Sequence, residues 1–227
     1  MLRTALPFAA MLGAVALAGC QAGAPPEGGN ASAVNTAGMN EEQAAMAEGR
    51  AVKPELVLQQ RWQQMFAHPA QIVADAKQFG FDVGSYTATN GSPAYQAAGR
   101  MKPMKSDSGA VTVMGAFGAA GASADRADML TFTFDVTVKG DAKGKSARTM
   151  LMTPKRIVSG FLSRFQIGAG DTITSALTQR NSGEATLHGN SIRVVSAPEA
   201  DGAAPAHATI TVTISRGTAP ADTAHKA

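Results

Sequence analysis

Side chains able to do chemistry are few in this chain, and they are scattered. Four histidines occur, His68, His188, His207 and His225, and none has a second histidine, a cysteine or a carboxylate pair at local ligand spacing. A zinc site needs three or four converging N, S or O donors, so no histidine metal site is expected. Two thioether pairs, Met101 with Met104 and Met150 with Met152, carry the soft donors that Cu(I) selects. Other methionines are dispersed, and methionine is ordinary core filler, so copper is not expected either. A nucleophile elbow would read Gly-x-Ser-x-Gly at a strand-to-helix turn; the chain has none, and Ser159-Gly160 falls inside a helical pattern. Glycosidase chemistry needs two carboxylates flanking a bond, for which Asp135, Asp171 and Glu184 are the acidic candidates in the folded part. No phosphate-cradling or dinucleotide glycine loop is present. The expectation is a protein with no catalytic residues, no metal and no cofactor.

One residue has a defined chemical fate. Cys20, the only cysteine, ends the stretch Leu17-Ala18-Gly19-Cys20, which follows an uncharged apolar run from Ala5 and a start carrying Arg3. A basic start, an apolar middle and small residues at the cut make a secretory signal peptide. The run is too short to span a bilayer, which takes about 20 apolar residues. Leu17-Ala18-Gly19-Cys20 resembles the lipobox of bacterial lipoproteins. That resemblance implies thioether diacylation of Cys20, cleavage before it and N-acylation of the new terminus, with palmitate among the acyl chains. One acyl chain binds a membrane only marginally and two or more hold it stably. Gln21, where an Asp would retain the protein at the inner membrane, implies sorting to the outer membrane of a Gram-negative cell. A lone cysteine also leaves no intramolecular disulfide, so the fold must stand on its core.

Removing residues 1–19 leaves 208 residues with 19 Lys+Arg against 17 Asp+Glu, since Arg3 goes with the leader. So balanced a charge argues against nucleic acid as a partner. Residues 20–53 read as the acylated terminus and a flexible tether, because 21–40 are Ala, Gly, Pro, Asn and Ser without hydrophobic period. Twenty such residues span roughly 25 Å. Within 41–52 a short, Ala-faced helix could form, weakened by Gly49.

From Pro54 the period becomes helical: Leu58, Trp62, Met65 and Phe66 form one stripe up to His68-Pro69. A second helix follows with Ile72, Val73, Ala76 and Phe79 inside, Asp75, Lys77 and Gln78 outside, and Gly80 as its left-handed cap. Residues 82–109 read as a long connection, with a short helix near 93–98 and a basic cluster of Arg100, Lys102 and Lys105. The period then shortens to two. Val111, Val113 and Phe117 alternate with polar or small residues, and after a Gly/Ala loop at 118–127 so do Leu130, Phe132, Phe134, Val136 and Val138. Thr153 as N-cap and Pro154 open a helix with Ile157, Val158, Phe161, Leu162 and Phe165 on one face and Lys155, Arg156 and Arg164 outside. Asp171 caps a further short helix carrying Ile173, Ala176 and Leu177. Strands at 184–188 and 191–195 flank the turn His188-Gly189-Asn190, and Ala208, Ile210, Val212 and Ile214 mark a last strand. From Gly217 the tail is unstructured by composition.

Together these give one α+β domain over 54–216: an antiparallel sheet of about five strands with amphipathic helices packed on one face, between a flexible N-terminal tether and a tail at 217–227. The element order is similar to that of the NTF2-like cone, which implies a pocket, here lined by Trp62, Phe66, Phe132, Phe134, Phe161 and Phe165. The leading expectation is a non-catalytic envelope accessory, held to the membrane through lipid on Cys20, with an envelope protein as partner. The alternative is a carrier of a lipid or small molecule. The Thr-rich strand faces, Thr131, Thr133 and Thr137 with Thr209, Thr211 and Thr213, are the candidate partner surface or edge for strand addition.

Overall fold

A computed structural model describes residues 41–104, 109–139, 144–198 and 206–217. The leader, Cys20, the tether up to residue 40, Lys105, residues 199–205 and the tail beyond Gly217, with His225, lie outside the described residues. All described residues fall within one compact unit, Thr36–Ala227.

The described chain forms six helices and a nine-stranded antiparallel sheet. Helices α1 (Glu41–Ala47), α2 (Pro54–Phe66) and α3 (Pro69–Gln78) come first. Strands β1 (Asp82–Val83), β2 (Thr87–Ala88), β3 (Tyr95–Arg100) and β4 (Lys102–Pro103) precede the long hairpin β5 (Val111–Gly121) and β6 (Met129–Val138). Helices α4 (Lys145–Leu151), α5 (Thr153–Arg164) and α6 (Asp171–Gln179) lead to β7 (Gly183–Leu187), β8 (Asn190–Pro198) and β9 (Ala206–Ser215). The sheet runs β1-β3-β5-β6-β9-β8-β7, with β2 on β3 and β4 on β5.

The α+β class and the one-sided helix layer agree with the sequence reading; the count of about five strands does not. The additional strands are β1 to β4, all within the stretch read as a connection, and 93–98 is extended rather than helical. Three of them are only two residues long, and the middle of β3 is Gln, Ala, Ala and Gly, so none prints a period-two apolar pattern. β3 and β4 become strands because β5 offers them a paired edge, with Ala97 opposite Ala119 and Lys102 opposite Gly115, and β1 and β2 pair in turn on β3. The same pairing draws 118–121 into β5 instead of a loop, a case of sheet context overriding residue preference. Helix α4 is likewise absent from the sequence reading; Ala147 and Met150 are its buried residues. Helix α1 forms inside the stretch assigned to the tether, with Ala45 buried.

Alternation holds along β5, β6 and β9, whose inward residues are buried and outward ones half-exposed. The interior is filled by rings. Phe117 and Phe132 meet edge to face with centroids 4.9 Å apart, and Phe161 of α5 closes on Phe132 at 5.1 Å. Trp62, Met65 and Phe66 are buried as expected of their stripe, while Leu58 is only half-buried. Gly80, at φ +94°, lets Phe81 N–H bond Ala76 O at 3.2 Å and Gly80 N–H bond Lys77 O at 3.0 Å. These two bonds complete a Schellman cap.

Two capping expectations are corrected. Thr153 is the first residue inside α5, Met152 being the N-cap, and the Thr153 hydroxyl is buried without a hydrogen-bond partner. Asp171 is likewise inside α6, behind the N-cap Gly170 at φ +75°, and makes no side-chain cap. At α5 the preceding helix ends at Leu151, so Met152 alone takes the flanking position, and at α6 that position falls to Gly170.

Candidate functional site

The basic tract flagged in the sequence is divided by the fold. Lys102 of β4 lines a cleft of about 510 Å³ with Gln78, Phe79, Gly80, Pro103, Met104, Thr153, Arg156 and Ile157. Arg100 ends β3, and Lys105 lies outside the described residues. Sequence reading placed Lys155 and Arg156 on the outer side of a helix, and α4 adds Lys145 and Arg148 beside them. Arg156 is shared with a neighbouring cleft lined by Gly144, Lys145, Arg148, Thr149 and Met152. From Lys145 to Arg164 the chain has five cations and no acidic residue. That run was legible in the sequence; its convergence with Lys102 was not.

A second, polar groove of about 550 Å³ runs beside α2, α3 and the end of α5, lined among others by Gln60, Arg61, Gln64, His68, Gln71, Asp75 and Arg164. Asp75, expected outside, is 2% exposed. The α3–α5 packing covers it, and a carboxylate is tolerated there only because it is paired. Gln71 Nε2 donates to it at 3.0 Å and Arg164 Nε at 3.4 Å, while the Arg164 guanidinium also donates to Gln78. Arg61 donates to the carbonyl of Gln166 at 3.5 Å. The groove's charged groups are thus mostly engaged with one another.

The Thr residues do share one surface. The register sets Thr131 opposite Thr213 and Thr133 opposite Thr211, all half-exposed on the sheet face turned away from the core. Thr209 Oγ1 donates to Asp135 Oδ1 at 2.8 Å in the adjoining row. Strand β6 lies between β5 and β9, and β9 between β6 and β8, so neither offers a free edge. The expectation of strand addition at these threonines is corrected; what they present is a face.

The remaining candidates do not converge. His68 precedes α3 and lines the polar groove, His188 Nδ1 lies 2.8 Å from Glu55 Oε2, and His207 is on β9. Met104 and Met150 are buried while Met101 and Met152 are exposed, so each thioether pair is divided between core and surface. Asp135 on β6 and Glu184 on β7 are separated by β9 and β8, about 14 Å across the sheet at the usual strand spacing. Among the described residues no group of three His, Cys, Asp or Glu is placed to hold a metal ion. Ser159-Gly160 is in mid-helix in α5, and a Cβ on Gly160 would lie 3.0 Å from Phe79 Cε1. That glycine serves close packing of α5 on α3.

The rings expected to line an NTF2-like pocket pack on one another. Phe132, Phe134 and Phe161 are fully buried, and Phe165 packs tilted against Phe161 with centroids 5.5 Å apart. Among the described residues, the polar groove and the cleft beside Lys102, both of ligand size, open at the surface. No family model, no curated protein and no solved structure matches this chain.

Proposed function

We propose that this chain is a lipoprotein anchored in the bacterial outer membrane through acyl chains on Cys20, and that its α+β domain is a non-catalytic binding or assembly accessory facing the periplasm. The sequence Leu17-Ala18-Gly19-Cys20 behind an apolar leader supports the anchor. The observation that carries the binding role is the sheet face turned away from the core, where half-exposed Thr131, Thr133, Thr211 and Thr213 form adjacent rows of methyl and hydroxyl groups. Such a face suits another envelope protein: it offers methyl contact area and hydrogen-bonding groups at little side-chain entropy cost.

Fractionation of cells making wild type or Cys20→Ala protein, with mass analysis of the N-terminal peptide, tests the anchor. Acylated Cys20 in the membrane fraction and a displaced variant are expected; a free thiol at Cys20 would overturn it. For the binding role, Thr133→Lys with Thr211→Lys should abolish co-purification of the envelope partner at unchanged thermal stability. Retention of the partner by that variant would exclude this face.

A further inference from the structure

We propose that the cleft between the end of α3, strand β4 and the first turn of α5 binds an anionic amphiphile, an apolar chain ending in a phosphate-like head. This goes beyond the accessory role and does not require that Cys20 be acylated. Three kinds of side chain meet in the cleft. Phe79, Met104 and Ile157 give it apolar walls, with Met104 and Ile157 buried. Lys102 and Arg156 stand exposed at its rim and make no ion pair among the described residues. Lys145 and Arg148 continue the positive field across the neighbouring cleft, and no carboxylate interrupts it between Lys145 and Arg164.

The third component is Thr153. It lines the cleft, is 2% exposed, and its hydroxyl has no partner. Buried polar groups are nearly always hydrogen-bonded in native proteins, and those that are not call for an explanation. A helical threonine has two accessible χ1 rotamers, so this hydroxyl can turn to a head group seated at the start of α5. That helix also begins without a side-chain cap, which leaves the positive end of its dipole toward the same point. An inorganic anion would use the rim and waste the walls; a neutral chain would use the walls and leave the rim and hydroxyl unanswered. An amphiphile uses all three.

The test is calorimetric titration of the full chain carrying Cys20→Ala with octyl phosphate, inorganic phosphate and octanol. Octyl phosphate should bind at least tenfold more tightly than either of the others. Lys102→Gln with Arg156→Gln should weaken it at least tenfold. Thr153→Val should raise the Tm of the free protein, by removing an unpaired buried hydroxyl, yet weaken octyl phosphate severalfold. That opposite movement is one that a merely structural threonine would not produce. Binding of octyl phosphate no tighter than inorganic phosphate, or affinity unchanged in the charge variant or in Thr153→Val, would overturn the assignment. With no acyl chain present, the titration reports on the cleft alone, while fractionation of the wild type reports on the anchor.

Discussion

Asp128 lies where the β5–β6 turn meets the end of β9, and it ties them together. Its carboxylate accepts from the Ala122 N–H at 2.9 Å and from Arg216 Nε at 2.9 Å, with Arg126 Nε 3.6 Å away. Tyr86 donates to the carbonyls of Arg126 at 3.0 Å and Ser123 at 3.2 Å from the other side of the turn. Burial opposes ionisation of Asp128, but the Ala122 N–H, Arg216 and Arg126 outweigh it and hold the carboxyl below its ordinary range. The same neighbourhood raises the Tyr86 phenol, through burial first and then the charges of Asp128 and Asp125. Because the folded-state value of Asp128 is depressed, its contribution to stability is fully present above the unfolded value of about 4. It is lost as pH falls through the lower folded value. Denaturant titrations should show Asp128→Asn less stable by about 1 kcal/mol at pH 7. The deficit relative to wild type should shrink below pH 4. A deficit constant from pH 7 to pH 2 would contradict this role.

Gly99 is a second residue whose type is dictated by its surroundings. A Cβ there would lie 2.5 Å from the Phe117 carbonyl oxygen and 2.9 Å from that of Asp82, both backbone atoms that cannot step aside. Gly99→Ala should therefore cost about 1–3 kcal/mol as overpacking. At Gly91 nothing lies within 4 Å of such a Cβ, and Gly91→Ala should stay within about 0.5 kcal/mol of wild type. Equal denaturation midpoints for the two variants would remove the close crossing of β1, β3 and β5 as the reason.

At the scale of elements, helix ends and turns are where local chemistry reads through. The Schellman cap at Gly80 predicts that Gly80→Ala loses about 1 kcal/mol, measurable as a lower Tm, since φ +94° disfavours any Cβ. The turn joining β7 and β8 is held similarly: His188 at φ 50° and Gly189 at φ 82° make the tight corner. Asn190 Nδ2 donates to the His188 carbonyl at 3.1 Å and its Oδ1 accepts the Gly217 N–H at 3.2 Å. Sequence reading found both turns because glycine and asparagine there answer a local backbone demand. It missed β1 to β4 because nothing local marks them; Ala97 and Gly99 are strand residues only beside Ala119 and Phe117. Asp75 was placed outside for the same reason, since the helix that covers it, α5, arrives 89 residues later in the form of Arg164.

For the whole molecule, the filled ring cluster decides where binding can occur. Phe132→Ala should cost about 3–5 kcal/mol in chemical denaturation, because Phe117, Phe81 and Phe161 all pack on that ring. A loss under 1 kcal/mol would mean an interior with room to spare. With the ring cluster packed, the surfaces open to binding among the described residues include the threonine face, the polar groove and the cationic cleft. Of these three, the last combines exposed charge without an ion pair among the described residues, apolar walls and an unsatisfied buried hydroxyl.

The sequence by itself determined the features that depend on neighbours in the chain. These are the apolar run ending in Leu17-Ala18-Gly19-Cys20, the stripes of α2, α3 and α5, the alternation of β5, β6 and β9, and the glycines at turns and caps. Helical and strand periods, capping preferences and peptidase-type motifs are all read within a few residues, so they survive without a fold. The tertiary structure alone decided the extra strands, the burial of Asp75, the gathering of Thr133 with Thr211 and the meeting of Lys102 with Arg156 over Thr153. Each of those depends on segments tens of residues apart being held side by side, and no local period or spacing encodes which long-range pair will close.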